Sequence, residues 1–68
     1  MNRINYYRKK SKTSLDVLSE LTGLSSAYIC LLASDKRSNP SKEVMESISK
    51  ALGKTVIQVF YPNIKEAI

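Results

Sequence analysis

Apolar residues along this chain recur three and four apart, and strict alternation is rare, so the pattern predicts short helices from end to end. A first helix is expected from Asn2 to about Lys10, with Ile4 and Tyr7 one turn apart facing inward and Arg3, Arg8, Lys9 and Lys10 outward. Thr13 and Ser14 offer hydroxyls to cap a second helix, from Leu15 to about Thr22, whose Leu15, Leu18 and Leu21 are expected to share one inward face. Gly23 stops that helix, since glycine adopts positive φ without steric cost. Ser25 caps a third helix, on which Ile29 and Leu32, with Leu24 ahead of them, are expected to pack on Leu18 and Leu21.

The polar run "SDKRSNPS" at 34–41 has turn chemistry throughout, with Pro40 blocking helix continuation and Ser41 capping the next one. The fourth helix is predicted over Lys42 to Leu52, with Val44, Met45, Ile48, Ala51 and Leu52 inward and Gly53 as its stop. Thr55 caps a short fifth helix whose Val56, Val59 and Phe60 close the core before Pro62. The reading is therefore an all-α chain, one domain over 1–68, with a short C-terminal tail at 62–68.

Composition then narrows the chemistry. Eleven Lys and Arg against six Asp and Glu leave a net charge of +5, and such a surface suits a polyanion. With one cysteine and no histidine there is neither an internal disulfide nor a set of Cys and His at metal-ligand spacing, so no metal and no cofactor is expected. Cys30 reads as a small half-buried side chain in a reducing compartment. No nucleophile motif, phosphate loop or paired acid and base is present, which points away from an enzyme. The N-terminus lacks the apolar segment of a secretory signal, and no run approaches the roughly 18 apolar residues of a membrane span. A cytoplasmic location, in a bacterial, phage or mobile-element host cell, is the expectation.

A short helix, a glycine-containing turn and a second short helix form the arrangement that lays its second member in the DNA major groove, here over about 14–33 with the recognition helix at about 26–33. From Ile4 to Phe60 the chain resembles the Xre/Cro and phage-repressor helix-turn-helix domains. The resemblance rests on Arg8, "SLDVLSELTGLSSAYI" at 14–29, "KRSNPS" at 36–41 and "ALGKTVIQVF" at 51–60. It implies a five-helix, lambda-repressor-like fold and a small transcriptional regulator, a repressor by expectation, bound to double-stranded DNA.

Carried across position by position, the resemblance puts base-reading residues at Ser26, Ala27 and Leu31, with Tyr28 and Cys30 beside them. Phosphate-binding positions fall on Ser14 next to Leu15, and on Ser34, Lys36 and Arg37, with Arg8 joining the basic set. Four positions depart from the family pattern. Leu15 stands where a phosphate-binding Gln is frequent, Ala33 where a Glu pairs with the arginine matching Arg8, and Asp35 where a glycine takes the left-handed turn. Ser19 replaces a small Ala. The recognition helix also lacks Gln, Asn and Arg, the side chains that read adenine and guanine with two hydrogen bonds.

Ile57 and Tyr61, four apart on the fifth helix and left over from its core stripe, mark an expected homodimer contact that Ile64 and Ile68 in the tail would extend. The competing reading is a protein-interaction module, accessory to another regulator, that uses the same fold. Leu31 and Cys30 favour it.

Overall fold

Hydroxyl side chains set where four of the helices begin. Ser14 Oγ accepts the Val17 N–H at 3.2 Å ahead of α2 (Leu15–Thr22), and Ser25 Oγ accepts that of Tyr28 at 3.1 Å ahead of α3 (Ser26–Ala33). Ser41 does the same for Val44 ahead of α4 (Lys42–Leu52). Ahead of α5 (Val56–Phe60), Thr55 and Gln58 exchange both bonds of a capping box, at 3.1 and 3.0 Å. The computed structural model describes residues 2–37 and 39–62, and among these every regular element is a helix. The all-α, five-helix expectation is what the chain adopts.

The first helix, α1 (Ile4–Lys10), starts two residues later than the pattern predicts. Asn2 lies outside it as a capping side chain: its Oδ1 accepts the Ile4 N–H at 3.0 Å. An acceptor placed there satisfies one of the amides that a helix start leaves without an internal partner, which a residue inside the helix could not do.

The helix ends are as local as the starts. At the end of α3 the Asp35 N–H reaches Leu32 O at 3.2 Å and the Lys36 N–H reaches Leu31 O at 3.0 Å, the paired bonds of a Schellman stop, with Asp35 left-handed at φ 61°. The same pair of bonds ends α1 through Lys12 and Thr13, with Lys12 at φ 56°, and α4 through Gly53 and Lys54. The end of α2 has the simpler form, a single bond from the Gly23 N–H to Ser19 O at 2.9 Å. Ser19, the departure from the family's Ala, donates its hydroxyl across this corner to Leu24 O.

All five helices contribute to one core of Ile4, Leu18, Ile29, Leu32, Ile48, Leu52 and Val59. Helix α2 packs on α3 and α4, α5 on α4, and α1 on α4 and α5. The Arg3 N–H donates to Val59 O at 2.7 Å and pins the chain start to α5.

Two expectations about burial fail, and one buried residue is not anticipated. Leu21 is 63% exposed and takes no part in the core. A spacing of three falls about 60° short of a full helical turn, so from Leu15 to Leu18 to Leu21 the side chains drift about 120° around α2. Thr22 takes the inward position instead, half-buried and with Oγ1 bonded to Leu18 O at 2.7 Å. Cys30 is exposed, not half-buried, because it lies about 100° around α3 from the fully buried Ile29. Ser49, which the apolar pattern passes over, is buried on α4 with its Oγ unpartnered among the described residues.

Candidate nucleic-acid interface

The chain bends by 112° between α2 and α3. That angle lies within the range of helix-turn-helix pairs, in which the second helix enters the groove while the first crosses the backbone. The bend is built from sequence-local parts: Gly23 at φ 76°, the Ser25 cap, and the Ser19 and Thr22 hydroxyls bonded around Leu24. Its inner side is closed by Leu18, Ile29 and Leu32, so the pair is held as one body.

The outer side of α3 carries Ala27, Cys30, Leu31 and Ser34, all exposed, while Ser26 and Tyr28 are half-buried at its flanks. The base-reading positions implied by the resemblance are thus brought onto one helix, two of them outward and two on the flanks. Their chemistry is small and apolar. Ala27 and Leu31 present carbon surface of the kind that meets a thymine methyl, and Ser26 adds one hydroxyl.

The phosphate positions differ in what they have left to give. Ser14 Oγ accepts from Val17, and its own O–H remains to donate outward. Ser34 Oγ lies 3.0 Å from Cys30 O and 3.3 Å from Leu31 O, so its proton is engaged by its own helix. Lys36 is exposed at the α3 stop. Arg37 is also exposed, but its guanidinium turns back to lie 5.4 Å from the centre of the Tyr28 ring.

Arg8 is the most committed of the set. Its Nε and Nη2 donate to Asn5 Oδ1 at 3.2 and 3.0 Å, and Nη1 reaches Thr13 O at 3.5 Å. With Ala33 in place of the acidic partner, Asn5, one turn earlier on α1, takes up the guanidinium, and the arginine braces the link that delivers Ser14 to the start of α2. Asn5 is not legible in the sequence as a partner, because an asparagine on a helix surface has many alternatives. Asn2 does carry a signal, since an Asn just ahead of an apolar helix start is a capping residue, although the periodic pattern alone places it inside the helix. Its Nδ2 donates to Leu32 O at 2.6 Å and Asp35 Oδ1 at 3.1 Å, which ties the chain start to the end of α3.

On and just after α5, Ile57 and Tyr61 are 39% and 43% exposed and one turn apart, with the Tyr61 hydroxyl 3.7 Å from Met45 Sδ. Ile64 and Ile68 lie outside the described residues. Two more cations perch on Tyr6, Arg3 at 5.3 Å and Lys10 at 5.4 Å, and Lys54 lies 5.3 Å from the Tyr7 ring centre. Among the described residues no single helix is long and apolar enough to cross a membrane, and no group of His, Cys, Asp or Glu has metal-site geometry.

Comparison with known proteins agrees with this geometry. The helix-turn-helix family profile matches residues 4–58. No curated protein sequence matches. Among solved structures, a chain of the SinR protein–SinI protein complex superposes with a TM-score of 0.78 at 27% identity, covering 94% of this chain. This chain in turn spans 65% of that one. Its bent helix pair, its outward α3 face and the family match over most of its length make the chain a member of the Xre/Cro-like helix-turn-helix family of DNA-binding transcription regulators.

Proposed function

We propose that this protein is a sequence-directed binder of double-stranded DNA that acts as a small repressor, with α3 in the major groove. The observation that carries the reading is the exposed outer face of α3, held at 112° to a capped α2 and ending in the cationic stop at Lys36 and Arg37. In this arrangement the Ser14 hydroxyl and the Lys36 ammonium take phosphates on either side of the groove, and Arg8 keeps the α1–α2 link rigid with its remaining N–H groups toward the backbone. Ser34 closes the end of α3 and approaches a phosphate through a rotation of its hydroxyl. Ser26, Ala27, Tyr28 and Leu31 face the bases or flank them. Blocking a promoter needs no further chemistry than occupancy.

Two copies related by a two-fold axis through Ile57 and Tyr61, with Ile64 extending the patch, would present two α3 helices to successive turns of DNA. Half-sites would then lie about 34 Å or 10 base pairs apart. The second reading, a protein-interaction module, draws on exposed Leu31 and Cys30 and on the protein–protein complex in which the similar chain occurs.

Titration of a random duplex pool with the wild type and Lys36→Ala, at several salt concentrations, separates the two readings. DNA binding predicts enrichment of a palindromic site and, for Lys36→Ala, a salt slope shallower by about 0.9 with base preferences retained. No enrichment and no salt-dependent duplex binding would leave the protein-interaction reading standing.

A further inference from the structure

We propose that Arg37 reads sequence: Tyr28 holds its guanidinium along the flank of α3, where it donates two parallel N–H bonds to O6 and N7 of one guanine in each half-site. The inference rests on the placement of α3 in the major groove and adds a base-specific donor that the helix itself does not carry.

The recognition helix contributes Ser26, Ala27 and Leu31, and none of these has two donors in a plane. A guanine can be read with two bonds only by a side chain that comes from outside the helix. The chain after α3 is folded to supply one. With Asp35 left-handed, the N–H groups of Lys36 and Arg37 both converge on Leu31 O, at 3.0 and 3.2 Å, so the backbone stays against the last turn of α3 instead of leaving it. From there the Arg37 side chain runs back toward the helix start. Its Cζ is 5.4 Å from the ring centre of Tyr28, nine residues earlier and in the first turn, the part of a recognition helix that reaches deepest toward base edges.

The stacking determines what the guanidinium can do next. An aromatic ring attracts a guanidinium placed over its face, while the five N–H donors radiate from the guanidinium edge. Tyr28 can thus restrict the side chain without consuming its hydrogen bonds. Arg8 is the opposite case, with its nitrogens tied to Asn5 and Thr13. Tyr28 is itself half-buried and packed against the core, so its ring is a fixed support. Restricting a long exposed side chain before binding removes part of the entropy cost of ordering it on a base. Lys36, one residue earlier, is a flexible point charge suited to a phosphate, without the rigid planar fork that a ring face can hold in place.

The test is a base-by-base substitution scan on the duplex selected from a random pool, with the wild type, Arg37→Ala, Tyr28→Phe and Tyr28→Leu, each at two salt concentrations. The wild type should prefer guanine about ten-fold or more at one position per half-site, and 7-deazaguanine there, which lacks the N7 acceptor, should weaken binding several-fold. Arg37→Ala should lose both the guanine preference and the 7-deazaguanine effect. Tyr28→Phe should retain the preference, and Tyr28→Leu should reduce it. Arg37 is exposed, so Arg37→Ala decides the matter even if Tyr28→Leu folds poorly. Equal base preferences in the wild type and Arg37→Ala, with affinity lowered uniformly, would make Arg37 a phosphate contact and overturn the proposal alone. A wild type that binds no duplex at all would overturn the DNA-binding reading and this inference with it.

Discussion

Two corners flank the recognition helix, and both turn the chain through left-handed backbone, Gly23 at φ 76° before α3 and Asp35 at φ 61° after it. They reach that conformation by different means. A Cβ built on Gly23 would have no heavy atom within 4 Å beyond its chain neighbours, so its glycine answers to backbone conformation alone and not to crowding. Asp35 has a side chain in the same region and is held there from a distance, by Asn2 Nδ2 on its carboxylate and on Leu32 O. The first corner is set by neighbours in sequence, from Ser19 to Tyr28; the second is a property of a contact across 33 positions of sequence. The left-handed backbone at the first corner is thus independent of distant contacts, while Leu18, Ile29 and Leu32 hold the angle from the core. The corner that aims Lys36 and Arg37 depends on the chain start being docked.

The largest effect should come from removing the conformational freedom at the first corner. Gly23→Val should cost about 2 kcal/mol in urea unfolding, because a β-branched residue is a true outlier in left-handed backbone. Gly23→Ala should cost about 1 kcal/mol, and Gly23→Asn less than Ala, despite its larger side chain. A greater loss for Asn than for Ala would show that space, not φ, is limiting, and the contrast between the corners would collapse.

Next in size is the tether of the second corner. Asn2→Ala removes the cap on Ile4 and the bonds to Leu32 O and Asp35, and should destabilise by about 1 kcal/mol, the usual scale of a lost cap. Amide exchange is the sharper measurement: the Asp35 and Lys36 N–H groups should exchange faster while that of Gly23 is unchanged. Uniform acceleration of all three would mean that Asn2 supports the whole fold instead of one corner.

A third left-handed residue, Lys12, gives a milder test. It is exposed at φ 56° with no side-chain tether among the described residues, so Lys12→Gly should raise stability by about 0.5–1 kcal/mol. A loss of stability would mean that the left-handed strain is smaller than the chain entropy glycine adds. Smallest of all, Asp35→Gly in the wild type should lie within about 0.5 kcal/mol of neutral, since relief of strain is offset by loss of the Asn2 contact and by a freer unfolded chain. In an Asn2→Ala background the same change should become stabilising, and a double-mutant cycle measures the difference.

Legibility in the amino-acid sequence follows the same division between local and distant contacts. The bounds of α2, α3 and α4 can be read to the residue because each is set by a hydroxyl cap that bonds three residues ahead, together with a stop that bonds back within its own last turn. The left-handed turn at Asp35 is legible through the resemblance, which has a glycine at that position, and short polar side chains tolerate the conformation. Leu21 escapes the pattern because a three-residue repeat imitates a helical face for one step and departs from it over two. In the interface, the base-reading positions on α3 follow from the resemblance. The state of each phosphate candidate does not: the proton of Ser34 is engaged by its own helix, and the nitrogens of Arg8 lie on Asn5.

The helices, their caps and the glycine corner of the α2–α3 pair are written in the amino-acid sequence alone, because each depends on atoms within about one helical turn. That Asn2 restrains Asp35, and that Arg37 returns to the ring of Tyr28, emerges only from the packing of the folded chain. Those contacts are made by long or polar side chains with many possible partners, and the choice among them is settled by where distant backbone segments come to lie.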